Sequence, residues 1–150
     1  MKHEEVLAAI RDVKDFPVEG IVFKDITTVL SNPEYLKWMK DEIVNLYRAY
    51  GITKVVGIES RGFILGPAVA MDLGAGFVPV RKPGKLPAET IEVSYAKEYG
   101  VDTIQIHADA LSEDDVVLLH DDLLATGGSM AAALELVRKF NVKKVYINFI

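Results

Sequence analysis

The sequence contains no cysteine among its 150 residues. This absence excludes disulfide bonds and thiolate metal sites, and it fits a protein of the cytoplasm without requiring one. Long apolar runs are missing too, because none approaches the ~20 residues that a helix needs to span a bilayer. The chain begins MKHEE, with acidic residues and no apolar signal core, so we expect no secretory signal.

An excess of positive charge is a third feature that the sequence lacks. It has 17 lysines and arginines against 22 aspartates and glutamates, which leaves a formal net charge of -5. Non-specific nucleic-acid binding needs a basic surface, so the composition argues against a nucleic-acid partner. Basic clusters are therefore interpreted as parts of local sites.

Length and composition are those of one globular domain. Hydrophobic residues make up 50% of the chain and charged residues 26%. A chain of this length buries roughly 70% of the surface that it exposes when unfolded, and we predict a single domain over residues 1–150. The sequence stops at Ile150 inside an apolar run, and we expect the natural chain to extend further.

Two helical patterns precede the first buried strand. A short helix at the N-terminus is followed by a loop through residues 16–23. A second helix begins after Asn32, a favoured N-cap, with Pro33 in its first position, and Gly51 ends it. The apolar positions predicted to pack are Val6, Leu7, Ile10 and Val13 in the first helix and Tyr35, Met39, Ile43, Leu46 and Tyr50 in the second.

Strands and helices then alternate. Residues 54–58 and 77–81 are predicted strands, separated by a helix that ends near Leu73, before Gly74 and Gly76. This alternation predicts an α/β domain with a central, mostly parallel sheet flanked by helices. Ligands of such sheets bind beyond the carboxyl ends of the strands. The polar clusters that fall there are residues 59–62, 81–82 and 121–122.

The segment between the second strand and residue 100 has a different composition. Pro83, Gly84 and Pro87 interrupt regular structure, and polar residues dominate. We interpret residues 82–100 as a long loop or hairpin that serves as a mobile lid or binding arm, since loops of this length are usually functional. Residues 103–107 alternate in polarity like a strand.

Residues 116–129, VVLLHDDLLATGGS, join a buried strand, two acids and a turn of small residues to a helix. Four aliphatic residues are typical of a strand buried on both faces, and Met130, Ala133, Leu134 and Val137 mark the helix that follows. Main-chain N–H groups of the turn can surround an anion at the positive end of that helix. The carboxylates of Asp121 and Asp122 can accept hydrogen bonds from adjacent sugar hydroxyls. Each fragment alone is often ordinary turn chemistry, whereas their order predicts a site for a phosphorylated sugar.

This segment resembles the 5-phosphoribosyl 1-pyrophosphate (PRPP) motif of the type I phosphoribosyltransferases. The resemblance implies that Asp121 and Asp122 bind the ribose hydroxyls of PRPP. It also implies that the turn binds the 5-phosphate, through Ala125, Thr126, Gly127, Gly128 and Ser129. Four cations are candidates to neutralise pyrophosphate as the bond to C1 breaks, namely Arg61, Arg81, Lys82 and Lys85. For the two lysines, a role as solvated loop charges is an equal alternative.

Further segments resemble the adenine phosphoribosyltransferase family. They are FPVEGIVFKDI (16–26), GIESRGF (57–63), VRKPGKLP (80–87) and SYAKEYG (94–100). The resemblance spans about residues 10–150. It implies the purine salvage reaction of adenine and PRPP to AMP and pyrophosphate, with Mg²⁺, by a cytoplasmic homodimer without a membrane partner.

The resemblance also assigns roles to single residues. Residues 1–31 would form a small base-binding hood in which Val22, Phe23 and Lys24 contact adenine, while Glu98 handles a proton of the purine ring. Ser60 and Arg61 would bind pyrophosphate, and Arg81, Lys82 and Lys85 would join them, some across a dimer interface. Mg²⁺ would be held mainly by substrate oxygens and water, since it binds proteins through few carboxylates.

Departures from the family pattern are mild. Lys24 stands where arginine is common, Ser129 where threonine is common, and His120 where an aliphatic residue is usual. His120 lies in a predicted strand, which favours a packed or interface residue over a catalyst. Two alternatives stay open: a PRPP-sensing regulator that binds without catalysis, and a transferase for another base.

Overall fold

A computed structural model describes residues 2–97, 99–121 and 128–149. Within it the chain divides into two compact units, Met1–Ile43 and Val44–Ile150. The segment predicted to form the base-binding hood, residues 1–31, falls within the first unit.

The first unit is built from short elements. They are α1 (Lys2–Ala9), β1 (Arg11–Lys14), β2 (Val22–Asp25), α2 (Thr27–Leu30) and the beginning of α3 (Pro33–Tyr47). β1 pairs with β2 in antiparallel register, from Arg11 opposite Asp25 to Lys14 opposite Val22. The N-terminal helix is therefore shorter than predicted, because Val13 belongs to β1. Only Val6 of α1 is buried, and Leu7 is 55% exposed.

The capping of α3 confirms the sequence prediction. Oδ1 of Asn32 accepts hydrogen bonds from the N–H groups of Glu34 at 3.0 Å and Tyr35 at 3.3 Å. A 3₁₀ turn, Arg48–Tyr50, follows the helix, and Gly51 ends it with a left-handed φ of 68°.

The predicted core stripe of α3 is wrong at its C-terminal end. Leu46 is 62% exposed and Tyr50 is 49% exposed, while Val44 and Tyr47 are buried instead. The buried row follows i, i+4 spacing through Met39, Ile43 and Tyr47, which turns Leu46 outward.

The second unit contains the sheet. Its elements are β3 (Lys54–Ile58), α4 (Gly62–Leu73), β4 (Gly76–Val80), β5 (Thr90–Lys97), β6 (Gly100–His107), β7 (Val116–His120), α5 (Gly128–Arg138) and β8 (Lys144–Asn148). Four strands form one sheet in the order β4-β3-β7-β8, and all three pairings are parallel. The predicted α/β fold with a central parallel sheet is confirmed.

The side chains of alternate residues in the central strands lie on opposite faces of the sheet. α4 packs against β3 and β4, and there the ring of Phe77 takes the space beside two glycines. A Cβ on Gly57 would lie 2.8 Å from that ring, and a Cβ on Gly66 would lie 2.6 Å from it. The other face forms a cluster of buried residues that includes Val56, Val117, Leu119, Ile104, Ile106, Leu136 and Val137.

β5 and β6 form an antiparallel hairpin, paired from Thr90 opposite His107 to Lys97 opposite Gly100. Of the two alternatives predicted for residues 82–100, the hairpin is therefore correct for its second half. Val93 and Ile104 bury the hairpin's inner face in the same cluster as α5. Among the described residues, no helix has both the length and the apolar character needed to cross a membrane.

Candidate active site

A cavity of about 260 Å³ opens in the second unit at the carboxyl ends of the parallel strands. The residues that directly follow β3, β4 and β7 meet there, as expected for ligand sites of open α/β sheets. Its lining consists of Ile58, Glu59, Ser60, Arg61, Val80, Arg81, Lys82, Tyr95, Asp102, Ile104, Asp121 and Ser129.

The cavity brings together most of the described residues that the sequence predicted for PRPP. Those that line it are Ser60, Arg61, Arg81, Lys82, Asp121 and Ser129. Gly128 begins α5, and Lys85 follows β4 in the connecting loop, but neither is among the lining residues. Five predicted site residues lie outside the described residues: Glu98, Asp122, Ala125, Thr126 and Gly127.

The turn that carries Ser60 and Arg61 lies against the end of β7. It contains a cis peptide bond between Glu59 and Ser60 and leads directly into α4. Gly62 is buried there, and a Cβ at this position would lie 2.9 Å from the carbonyl oxygen of His120. A glycine is required because any side chain would push this turn away from β7 and from Asp121.

Glu59 links the ends of β3 and β4 inside the cavity. Its main-chain N–H donates to the carbonyl of Val80 at 2.9 Å, and its Oε1 accepts from Nε of Arg81 at 2.8 Å. Burial raises the pKa of Glu59, but the hydrogen bond and charge of Arg81 and a main-chain hydrogen bond from Lys82 outweigh it, so the pKa is lowered. Glu59 is therefore a carboxylate among cations.

Tyr95 and Asp102 face each other across the hairpin and reach the same cavity. Burial raises the pKa of Tyr95, and the charge of Asp102 and a hydrogen bond to it act in the same direction. Lys97 donates to Asp102 at 3.0 Å, and this contact is the main reason why the pKa of Asp102 is lowered.

Sequence reasoning placed Glu59 in a polar cluster at the strand ends but gave it no role, and it did not select Tyr95 or Asp102 as site residues. A signal existed for Glu59, because it directly follows a buried strand, as Asp121 does. No local signal marks the other two, since their meeting depends on the register between β5 and β6.

The segment predicted to contact adenine lies in the first unit, on β2. Val22 is 53% exposed, and the half-buried ring of Phe23 packs edge-on against Phe16 with 5.2 Å between the ring centroids. Nζ of Lys24 forms an ion pair with Asp12 at 2.6 Å. The segment therefore has an exposed strand residue, a packed pair of aromatic rings and a lysine held by an ion pair.

His120 is packed in the sheet, as predicted from its place in a strand. Only 1% of its surface is exposed, and its Nδ1 forms a 2.9 Å hydrogen bond with Oδ1 of Asn148 on β8. The pair joins the carboxyl ends of β7 and β8.

Known proteins share both the sequence and this arrangement. The family model described as a phosphoribosyl transferase domain matches residues 25–148. An adenine phosphoribosyltransferase of Bacteroides fragilis is 63% identical over 150 residues, which are 100% of this chain and 84% of that protein.

Solved structures of known proteins are similar to this chain in both sequence and fold. The adenine phosphoribosyltransferase of Rhodothermus marinus is 51% identical with a TM-score of 0.92, over 99% of this chain and 85% of that one. The Giardia lamblia enzyme, in complex with 9-deazaadenine, is 47% identical with a TM-score of 0.94, over 100% and 84% of the two chains. The carboxyl edge of the parallel sheet brings Asp121 and Ser129 together with the predicted cations, and the relatives match the chain along its whole length. The chain therefore belongs to the phosphoribosyltransferase family, among the adenine phosphoribosyltransferases.

Proposed function

We propose that this cavity transfers the 5-phosphoribosyl group of PRPP to adenine, giving AMP and pyrophosphate in purine salvage. The observation that supports this most directly is the meeting of Asp121 with Ser60, Arg61, Arg81 and Lys82 at one edge of the sheet. Such a site offers acceptors for sugar hydroxyls on one side and cations for a leaving polyanion on the other.

PRPP is the substrate that these groups would hold. Asp121, with Asp122, accepts hydrogen bonds from the ribose hydroxyls, because ionised carboxylates are acceptors only. Ser129 lies in the first turn of α5, where the helix dipole and the main-chain N–H groups favour an anion. This supports the assignment of the 5-phosphate to Ala125, Thr126, Gly127, Gly128 and Ser129.

Pyrophosphate departure is the step that needs cations. Breaking the C1–O bond leaves an oxocarbenium-like ribose and builds negative charge on pyrophosphate, which donors and cations in a dry site stabilise. We assign this role to Arg61 and Arg81, with Ser60, Lys82 and Lys85 as further contacts. Arginine suits it because its planar group can donate two parallel hydrogen bonds to phosphate oxygens.

Adenine would bind at Val22, Phe23 and Lys24. The exposed strand edge of Val22 and the ring of Phe23 supply main-chain hydrogen bonds and an aromatic contact. The 9-deazaadenine bound by the Giardia lamblia relative supports a site for this base. Glu98 would stabilise the protonation state of the purine ring while N9 attacks C1.

Mg²⁺ is the cofactor that fits this donor set. It prefers oxygen ligands and is usually bound through one or two carboxylates together with substrate phosphates. We propose that pyrophosphate, ribose oxygens and water supply most of its ligands, without a dedicated metal site on the protein. The ion would neutralise part of the charge of pyrophosphate.

We also propose that the chain forms a homodimer in the cytoplasm, with some of the loop cations Arg81, Lys82 and Lys85 acting across the interface. The cysteine-free composition supports the location. Sedimentation velocity at several concentrations measures the dimer directly.

One assay separates this proposal from its alternatives. Purified protein is given PRPP, Mg²⁺ and one base at a time: adenine, hypoxanthine, guanine, xanthine, uracil or orotate. Formation of AMP and pyrophosphate from adenine is expected. Binding of PRPP without turnover of any base would identify a PRPP-sensing regulator, and preferred turnover of another base would replace adenine.

A further inference from the structure

Glu59 is out of place in a cavity proposed for a polyanion. Its side chain is 18% exposed and lines the cavity beside Arg61, Arg81 and Lys82. A carboxylate there repels pyrophosphate through the Coulomb interaction, and partial burial strengthens that repulsion. Its presence therefore needs a compensating role.

The contacts of Glu59 indicate that role. Its carboxylate accepts from Nε of Arg81 at 2.8 Å, and Arg81 directly follows β4 at the start of the loop. Lys82 and Lys85, which follow Arg81 in this loop, also lower the pKa of Glu59. One carboxylate thus organises the start of the loop that holds three of the proposed pyrophosphate cations.

Arg81 is held from several directions. Its main chain exchanges two hydrogen bonds with Gln105 of β6, at 3.0 and 2.7 Å. The ring of Phe63 lies 5.9 Å from Cζ of its guanidinium group, within the range of a cation–π contact. Glu59 takes Nε, so the two terminal nitrogens of the guanidinium group are the pair left to grip phosphate oxygens in parallel.

We propose that Glu59 is a positioning residue that orients Arg81 toward pyrophosphate. Its hydrogen bond with Nε of Arg81 persists while pyrophosphate is bound. The inference rests on the proposed function, because pyrophosphate is the group that Arg81 is proposed to bind. Positioning reduces the rotamer entropy that a free arginine side chain would lose on binding.

Positioning and simple charge repulsion predict opposite effects for Glu59→Gln. The substitution keeps the size of the side chain but removes the charge, and its amide weakens the hydrogen bond from Arg81. If repulsion dominated, the variant would bind pyrophosphate more tightly. Positioning predicts weaker binding, by roughly tenfold, the loss that corresponds to about one charge-assisted hydrogen bond.

Calorimetric titration with inorganic pyrophosphate in a Mg²⁺ buffer provides the test. The proteins compared are wild type, Glu59→Gln, Arg81→Ala, the double variant and Glu92→Gln. Glu92 is a matched control because it is an exposed carboxylate that accepts a hydrogen bond, from Gln105 at 3.1 Å, but it does not line the cavity. Glu92→Gln is expected to bind within about twofold of wild type, as are most surface substitutions.

The double variant shows whether Glu59 acts through Arg81. We expect Glu59→Gln to change the dissociation constant by less than about twofold once Arg81 is alanine, because coupled residues are not additive. Equal losses in both backgrounds, or binding by Glu59→Gln as tight as wild type, would overturn the inference alone. A wild type that does not bind pyrophosphate would overturn the proposed function of the cavity.

A second measurement needs no substitution of Glu59. The Nε–H resonance of Arg81, assigned by its absence from Arg81→Ala spectra, is expected to persist when pyrophosphate saturates the protein. Loss of this protected resonance on binding would show that Arg81 leaves Glu59, against the proposal.

Discussion

Asp121 directly follows β7 and projects its functional groups from the buried end of the sheet into the cavity. Asp121→Asn replaces a charged acceptor by an amide, so we expect productive use of PRPP to weaken by about 1.5 to 3 kcal/mol, the value of a charge-assisted hydrogen bond. Steady-state kinetics with varied PRPP measures this, with the exposed Asp109→Asn as control. PRPP kinetics equal to wild type would remove Asp121 from the site.

Arg61 occupies the turn that Gly62 presses against β7. Arg61→Ala should lower kcat roughly 10²-fold or more, by analogy with the loss of one preorganised donor to a developing negative charge. Arg61→Lys should recover only part of this, since an ammonium cannot donate in two parallel directions. The kcat values of both variants provide the measurement, and full recovery with lysine would show that charge alone is needed.

At the scale of elements, Asp115 links the amino-terminal ends of β3 and β7, which lie at the opposite end of these strands from the cavity. It is buried and accepts from Thr53 at 2.7 Å, from Lys54 at 3.2 Å and from the N–H of Ser112 at 2.9 Å. Burial raises the pKa of Asp115, but these hydrogen bonds outweigh it and lower the pKa below the ordinary 3.8.

A lowered pKa in the folded state means that ionised Asp115 stabilises the fold above its unfolded pKa and that this contribution is lost as the pH falls through the folded value. Asp115→Asn should therefore cost more stability at pH 7 than at about pH 3. Urea unfolding of wild type and variant at both pH values measures the difference. An equal loss at both would exclude ionisation as the source.

The loop and hairpin over residues 82–100 give an element-scale prediction. Among the described residues of this range, the segment before β5 and Tyr99, which is 84% exposed, lie outside the paired strands. We expect PRPP, Mg²⁺ and a base analogue together to slow cleavage there by a protease added in limiting amount, because a lid that orders over substrate is protected. Cleavage at an unchanged rate would rule out a lid.

The elements also show what the sequence can predict. The bounds of β3 are as predicted, because Lys54 and the four apolar or small residues after it, between a helix stop and a polar turn, form a pattern of short range. β1 was missed because Val13 gains its structure only by pairing with Phe23. Likewise the residues that follow strands in the site were predicted, whereas Tyr95 and Asp102 required the register of a hairpin.

At the scale of the whole molecule, the specificity of the reaction is a choice between bases with different hydrogen-bonding patterns. Adenine donates from its 6-amino group and accepts at N1, whereas hypoxanthine accepts at O6 and donates at N1. A main-chain edge near Val22, Phe23 and Lys24 that satisfies one pattern leaves buried groups unpaired with the other, at ~1 to 3 kcal/mol per group. We therefore expect discrimination of roughly 10³-fold or more in kcat/KM. Competition between adenine and hypoxanthine for limiting PRPP measures that ratio, and equal consumption would refute adenine specificity while leaving the PRPP site intact.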